Sequence, residues 1–205
     1  MKSKTRWLAT VAILAALAAV MMLFRFPLPF LPNFYKLHFS ESVVVLGGYV
    51  VGPGGAVLIQ AIKVVLKILT SGSNSMLIGD LANMIMGLSF ALPAILYYRR
   101  HPNTMGVIVG LVLGVLCQTV VGCLVNYYIL IPMYATAFGM SIDDIIAAYA
   151  NLNADVTSLT KFVLFFTAPF NLIQGILDSI IVVIVYKAAH QLFKPYEEEL
   201  QKAAQ

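Results

Sequence analysis

Ten side chains able to do polar chemistry sit in stretches otherwise built of Val, Ile, Leu, Ala and Phe: Gln60, Lys63, Lys67, Asp80, Asn83, Gln118, Asn126, Asn171, Gln174 and Asp178. Their spacing groups them. Gln60, Lys63 and Lys67 fall at i, i+3 and i+7, one stripe of a helix; Asp80 and Asn83 share a face, and so do Asn171, Gln174 and Asp178. An ionisable or amide group in an apolar span is costly, and marks a functional site by default. For any single residue the alternative is an interhelical hydrogen bond, or a Lys67–Asp80 pair that merely holds helices together. Amides offer both donors and acceptors, which suits a neutral, flat ligand rich in heteroatoms. A multiply charged ligand would need more Arg or Lys at the same depth.

Catalytic and metal chemistry find little support. There is no Gly-x-x-x-x-Gly-Lys-Ser/Thr, so the chain cannot use ATP by itself. There is no His-Glu-x-x-His, and His38, His101 and His190 lie far apart along the chain. Cys117 and Cys123 sit in an apolar stretch and read as small buried hydrophobes. No metal and no cofactor are expected. The nearest approach to an enzyme is an intramembrane aspartyl pair, Asp80 (in Gly79-Asp80) with Asp178. Asp80 lies about one turn below the outer surface, whereas Asp178 lies about 25 Å down its helix. Two carboxyls sharing a proton must sit about 3 Å apart, so the chain is expected not to be an enzyme.

The elements that carry these groups follow from composition. Of 205 residues, 60% are hydrophobic and 11% charged, and the mean hydropathy is +0.90. A soluble domain carries about 25% charged residues, so most of this chain does not face water. At about 20 residues per crossing, the length allows about six spans and no separate soluble domain. That excludes a fused ATPase, a periplasmic receptor and a DNA-binding module, and no nucleic-acid partner is expected. Lys2, Lys4 and Arg6 ahead of Leu8–Phe24 resemble the start of a signal peptide. No small-x-small cleavage site follows, and the apolar core exceeds the usual length of about 7–15 residues. The segment is therefore expected to be a retained first helix.

Spans are expected at about 7–25, 41–52, 56–70, 76–98, 105–131 and 161–188. Residues 26–40 contain three prolines and cannot form a straight helix. Gly52-Pro53-Gly54-Gly55 is a turn signal, and Ser71–Ser75 breaks the third span. The fifth span is read as one long helix ended by Pro132, a hairpin of two short helices being the alternative. Residues 139–160 read as a polar loop with room for a short surface helix. With both termini inside, the inner face collects Lys2, Lys4, Arg6, Arg99, Arg100, Lys187, Lys194 and Lys202, against Arg25, Lys36 and Lys161 outside. This satisfies the positive-inside rule. The fold class expected is an all-α integral membrane protein, with six transmembrane helices, both termini cytoplasmic and a single transmembrane substrate-binding domain over residues 1–205.

In that orientation Lys67, Asp80, Asn83 and Asn126 lie in outer halves of their spans, and Asn171 and Gln174 about 15–20 Å down the sixth. The polar inventory thus converges under the proline-rich segment 26–40, as in a pocket open to the outside with a lid. Small residues add a second theme. Ala12/Ala16 and Ala15/Ala19 form overlapping small-xxx-small pairs, and Gly106, Gly110 and Gly114 recur every four residues. Packing within the bundle is preferred for the glycines; for the alanines a partner subunit is as good a reading.

Several segments together resemble the riboflavin-binding S component of energy-coupling factor (ECF) vitamin transporters, over about residues 5–190. They are Phe26-Pro27-Leu28-Pro29-Phe30-Leu31-Pro32, Tyr35–Glu41, Gly52-Pro53, Gly79-Asp80-Leu81-Ala82-Asn83, Asn126-Tyr127 with Pro132-Met133-Tyr134, and Pro169-Phe170-Asn171-Leu172-Ile173-Gln174-Gly175. The resemblance implies a substrate-binding subunit of an ATP-driven importer in the bacterial cell membrane. It would capture riboflavin from outside and pass it through a transmembrane coupling subunit carrying two ATPase subunits. The implied partner face is Ala12, Ala15, Ala16 and Ala19. The implied flavin contacts are Asn126, Tyr127 and Asn171, with Leu37, His38 and Phe39 of the lid. Gln174 would meet the pyrimidine edge, and Asp80 and Asn83 the ribityl chain. Such proteins often have Lys where this one has Gln174, and usually Asp where it has His38. Another vitamin, or a flavin such as FMN, is the alternative ligand.

Overall fold

The computed structural model describes residues 4–73, 77–149 and 151–203. Lys2 and Met76, expected to mark the first cytoplasmic cations and the start of the fourth span, lie outside the described residues, as do Asn74 and Ser75 of the breaker. Among the described residues, five helical segments are long and apolar enough to cross a membrane: Lys4–Leu23, Ser40–Ser71, Ile78–Arg100, Thr104–Phe138 and Leu159–Ala188. Their outward faces carry Leu, Ile and Val, among them Ile13, Val112, Val120 and Ile184. That arrangement inverts the solubility logic of a water-facing surface.

α1 (Lys4–Leu23) is followed by the lid segment, and α2 (Ser40–Ser71) by α3 (Ile78–Arg100). α2 is not one rod. Gly52 has φ 84° and ψ 175°, a conformation essentially confined to glycine, and Pro53 then restarts the helix with its φ preset. A straight helix would hold residues 41 and 63 about 33 Å apart, yet Lys63 Nζ lies 2.7 Å from Glu41 Oε1. Gly48 likewise faces Ala56 across the turn. The two arms of α2 therefore fold back on each other, with the turn where Gly52-Pro53 predicts it. Trp7 Nε1 of α1 donates to the Val51 carbonyl at 3.0 Å and seals that end.

One proline corrects an expected boundary. The fifth span does not stop at Pro132: α4 (Thr104–Val125) runs through a π-helical turn, Asn126–Leu130, into α5 (Ile131–Phe138). The wider turn reorganises the hydrogen-bond ladder just ahead of a residue that has no N–H to continue it. The same device recurs before Pro169, where α7 (Leu159–Phe162) passes through the π turn Val163–Thr167 into α8 (Ala168–Ala188). Between them, the stretch 139–160 holds α6 (Ile142–Ala148), started by a Ser141–Asp144 capping box. The chain is also not wholly helical. Phe26–Pro27 (β1) and Lys36–Leu37 (β2) pair antiparallel and fasten the base of the lid.

The small residues divide. A Cβ on Gly110 or Gly114 would meet the Ala94 or Phe90 carbonyl at 2.7 or 2.5 Å, so these glycines pack α4 on α3 inside the bundle. The four alanines of α1 do not share one environment. Ala15 and Ala19 are buried within the chain, while Ala12 and Ala16 are exposed. A face made of all four is thereby corrected: Ala15 and Ala19 are not available to a partner, because the turn of about 100° from residue 15 to 16 puts one i/i+4 pair toward the bundle and the other, Ala12 and Ala16, away from it. Beyond α8, α9 (His190–Ala203) lies across the end of the bundle opposite the lid. It buries Phe193 beside Tyr186 and sets Glu197 against the Tyr98 and Tyr186 hydroxyls.

Candidate ligand-binding site

The lid end of the bundle encloses a cavity of about 810 Å³, within the ordinary range for small-molecule sites. Six of the nine residues expected at the ligand line it: His38, Asp80, Asn83, Asn126, Asn171 and Gln174. Leu37, Phe39 and Tyr127 do not. Leu37 is buried in β2, and Tyr127 packs with the second hydrophobic cluster, which seats the lid. The π turn carries Asn126 to the cavity and leaves its neighbour outside it.

The amide floor is built where α4 meets α8. A Cβ on Gly122 would come within 2.6 Å of Asn171 Nδ2, so glycine is what lets these helices approach. Asn126 and Asn171 each donate back to the carbonyl four residues earlier, Gly122 at 2.8 Å and Thr167 at 2.9 Å. This fixes both rotamers and leaves each amide one free N–H. Gln118 Nε2 approaches Asn171 Oδ1 at 3.4 Å, and its own Oε1 is buried without a partner. Tyr35 of the lid donates to Asn126 Oδ1 at 3.1 Å and shares a 2.6 Å hydrogen bond with Thr167 Oγ1. Burial pushes that phenol's pKa up, so it stays a neutral donor.

The wall above the amides is aromatic. Tyr35 stacks on Phe170 with ring centroids 4.9 Å apart, and Phe34 lies 5.8 Å from Tyr134 and 5.7 Å from Tyr149. Tyr149 and Ile145 come from the 139–160 stretch, so a segment read as a polar loop forms part of the roof. Its composition gave no sign of this.

The opposite side is charged and internally paired. Lys63–Glu41 and Lys67–Asp80 are both 2.7 Å ion pairs with nearly inaccessible side chains, and Ser73 Oγ donates to Asp80 Oδ2 at 2.6 Å. Lys67–Asp80 is thus a helix-joining pair and a cavity-lining one at once. His38 bridges lid and bundle. Asn83 Nδ2 lies 2.9 Å from its Nε2, and Ser40 Oγ 3.1 Å from its Nδ1. Burial, reinforced by the Lys63 and Arg25 charges, holds the imidazole well below its ordinary pKa, so Nε2 accepts and Nδ1–H donates. Arg25 Nη2, Glu41 Oε2 and Asn83 Oδ1, all on lining residues, are buried without protein partners. Orphaned buried polar atoms are expensive, and together with Gln118 Oε1 they describe a cavity shaped for a ligand carrying several donors and acceptors.

Arg25, Tyr35, Glu41, Gln118 and Phe170 were not among the residues expected at the ligand. Glu41, an acid opening an apolar run, and Gln118, an amide in one, did carry a signal. Arg25 and Tyr35 reach the site only through the path of the lid. Asp178 lies on the floor side, bonded to Ser42 and Gln174. Asp80, by contrast, is bonded to Lys67 and Ser73. Among the described residues no cluster of His, Cys, Asp and Glu suits a metal ion.

Residues 6–186 match the family described as ECF transporter, substrate-specific component. The chain is 30% identical over 188 residues to "Riboflavin transporter RibU" of Staphylococcus aureus (strain TCH60), covering 91% of this chain and 92% of that one. It is 29% identical over 202 residues to "Riboflavin transporter FmnP" of Bacillus subtilis (strain 168), covering 98% of each. A solved S component of a bacterial ECF transporter superposes with a TM-score of 0.74 at 27% identity, over 94% of this chain and 99% of that one. These relatives are bacterial membrane proteins and transporter components, not enzymes. With the match running through nearly every helix that builds the cavity, the chain belongs to the substrate-specific components of ECF transporters.

Proposed function

We propose that this protein captures riboflavin from outside the cell as the substrate-binding subunit of an ATP-driven importer. It would deliver the vitamin through a transmembrane coupling subunit bearing two ATPases. The observation that carries the reading is the cavity: an aromatic wall of Phe34, Tyr35 and Phe170 facing fixed amides of Asn126, Asn171 and Gln118. A flat tricyclic ring with a polar pyrimidine edge matches the stack and the free amide donors. A polyol chain matches the unpartnered oxygens and guanidinium on the Glu41, Asn83 and Arg25 side. The riboflavin transporters named above support the same ligand.

In the bilayer the folded-back α2 counts as two crossings, six in all. Both termini lie on the cytoplasmic side, since Arg6, Arg99, Arg100, Lys187 and Lys194 gather at the end away from the lid. The cavity then opens outward, and Ala12 and Ala16 offer a small-residue face to the coupling subunit. Arg25 and Lys36, both lining the cavity, favour FMN as a second ligand, because either could meet a phosphate.

The test is titration of the detergent-solubilised protein with riboflavin, followed by quenching of flavin fluorescence, with FMN as competitor. Saturable quenching at micromolar ligand is expected, and its absence overturns the ligand assignment. Uptake into liposomes is expected only with the ATPase and coupling subunits present. Accumulation against a gradient by this chain alone overturns the ECF partnership.

A further inference from the structure

Gln174 lines the cavity with its amide already engaged by the chain that closes it. Its Oε1 accepts the His38 backbone N–H at 3.2 Å, while its Nε2 donates to the His38 carbonyl and to Asp178 Oδ2. A primary amide has two N–H groups and two lone pairs, so both donors and one acceptor site are used within the protein. Asp178, one turn further along α8, accepts the Ser42 N–H on Oδ1 at 3.0 Å. That N–H belongs to the first turn of α2, whose N-cap residue Phe39 supplies no side-chain bond. Asp178 therefore caps α2 from another helix, where a carboxylate is favoured by the unpaired N–H groups of a helix start.

The consequence is mechanical. His38 is the last lid residue but one before α2, and Ser42 lies in the first turn beyond it. Two side chains four residues apart on α8 thus hold two main-chain points four residues apart across the junction of lid and helix. Asp178 fixes the start of α2 and orients Gln174; Gln174 grips the lid by both polar atoms of one peptide residue. Because the grip is on main chain, the identity of residue 38 is not what it reads. The middle of the lid is held separately, by Tyr35 on Asn126 and Thr167.

We infer that Gln174 and Asp178 form a latch and hinge for the lid: positioning residues that set how fast the ligand leaves by holding residues 38–42 on α8. The rate readout rests on the riboflavin reading above; the latch itself does not. The experiment is hydrogen–deuterium exchange over residues 36–45 of the full-length protein in detergent, with and without riboflavin, alongside stopped-flow release of the flavin. Gln174→Met keeps the length and apolar stem of the side chain but makes neither bond to His38. It is expected to raise exchange at 38–42 in the ligand-free protein and to speed riboflavin release about thirtyfold, the value of two ordinary hydrogen bonds. Asp178→Asn can still accept from Ser42 yet no longer from Gln174, and is expected to fall between wild type and Gln174→Met in both readouts. Faster release with unchanged ligand-free exchange would mean that Gln174 acts as a ligand contact, and overturns the latch. If neither variant folds, the unliganded wild type decides: slow exchange at the His38 and Ser42 amides supports the latch, and exchange at the rate of open chain overturns it. If riboflavin does not bind at all, the exchange arm still decides, and only the ligand assignment falls.

Discussion

Lys63 reaches back across a reversed helix to place its ammonium 2.7 Å from Glu41 Oε1, twenty-two residues earlier in the chain. Ser40 Oγ also accepts from the same nitrogen, at 3.2 Å. The pair closes the cavity end of the two arms of α2, and Gly52 makes the turn at the other end. Breaking such a pair on one side only would leave a buried charge without compensation, so the charged side of the cavity depends on the turn about 16 Å away, at 1.5 Å per helical residue.

That dependence gives the first expectation. Gly52→Ala places a Cβ at φ 84°, 3.3 Å from Arg99 Nη1, in backbone territory that costs a non-glycine residue about 1–3 kcal/mol. The variant is expected to melt earlier, with changed emission from Trp7, the one tryptophan of the chain, whose indole bonds to Val51 beside the turn. An unchanged melting temperature contradicts the strained-turn account.

Asn171→Ala removes a fixed donor and leaves Gln118 Nε2 without its acceptor. Riboflavin binding is expected to weaken by about 1–3 kcal/mol, measured by fluorescence titration. Leu172→Ala, one position along and 37% exposed, serves as the control and is expected to bind within about twofold of wild type. Equal losses in both variants would point to damage to α8 instead of a lost contact.

For α1 the structure separates two alanines that the spacing alone joins. Ala15, with no exposed surface, cannot take a large side chain without disrupting the core, and Ala15→Trp is expected to lose folding and binding together. Ala16→Trp, on the exposed side, is expected to keep riboflavin affinity within about twofold while abolishing co-purification with the coupling subunit and uptake. Intact uptake by Ala16→Trp would mean that this face points at lipid.

The neutral His38 predicts a pH dependence with a definite sign. Its pKa is depressed in the closed lid, so the open or unfolded state binds the proton more readily once pH falls below about 6.5, the ordinary value for imidazole. The closed lid is therefore fully stable above that pH and is lost progressively below it. Riboflavin release is expected to accelerate between about pH 6.5 and 5, and this acceleration should disappear in His38→Gln. A pH-independent release rate in the wild type would contradict the assignment.

Much of this architecture is local, and so it was legible in the chain. Apolar runs of membrane-crossing length, the Gly52-Pro53 reversal and the stripes Gln60/Lys63/Lys67 and Asn171/Gln174/Asp178 depend only on residue type and helical period, which sequence displays directly. Because helical period fixes the side and rise fixes the level of each group, a shared stripe and a shared depth were enough to bring Asp80, Asn83, Asn126 and Asn171 to one cavity. Pro132 shows the limit: its missing N–H argues for a stop, but a π turn five residues long absorbs the fault. What tertiary structure alone decided was which side of each element meets a neighbour. Ala15 and Ala16 are equivalent in type and differ only in what lies across from them. Tyr149 joins the roof because α6 folds over the mouth, and Arg25 and Tyr35 arrive on a lid whose path no periodicity encodes. Gln174 faces ligand or lid according to where the His38 peptide comes to rest. These are contacts between residues far apart in sequence, up to 136 positions for Gln174 and His38, and their energy exists only once the chain has closed around them.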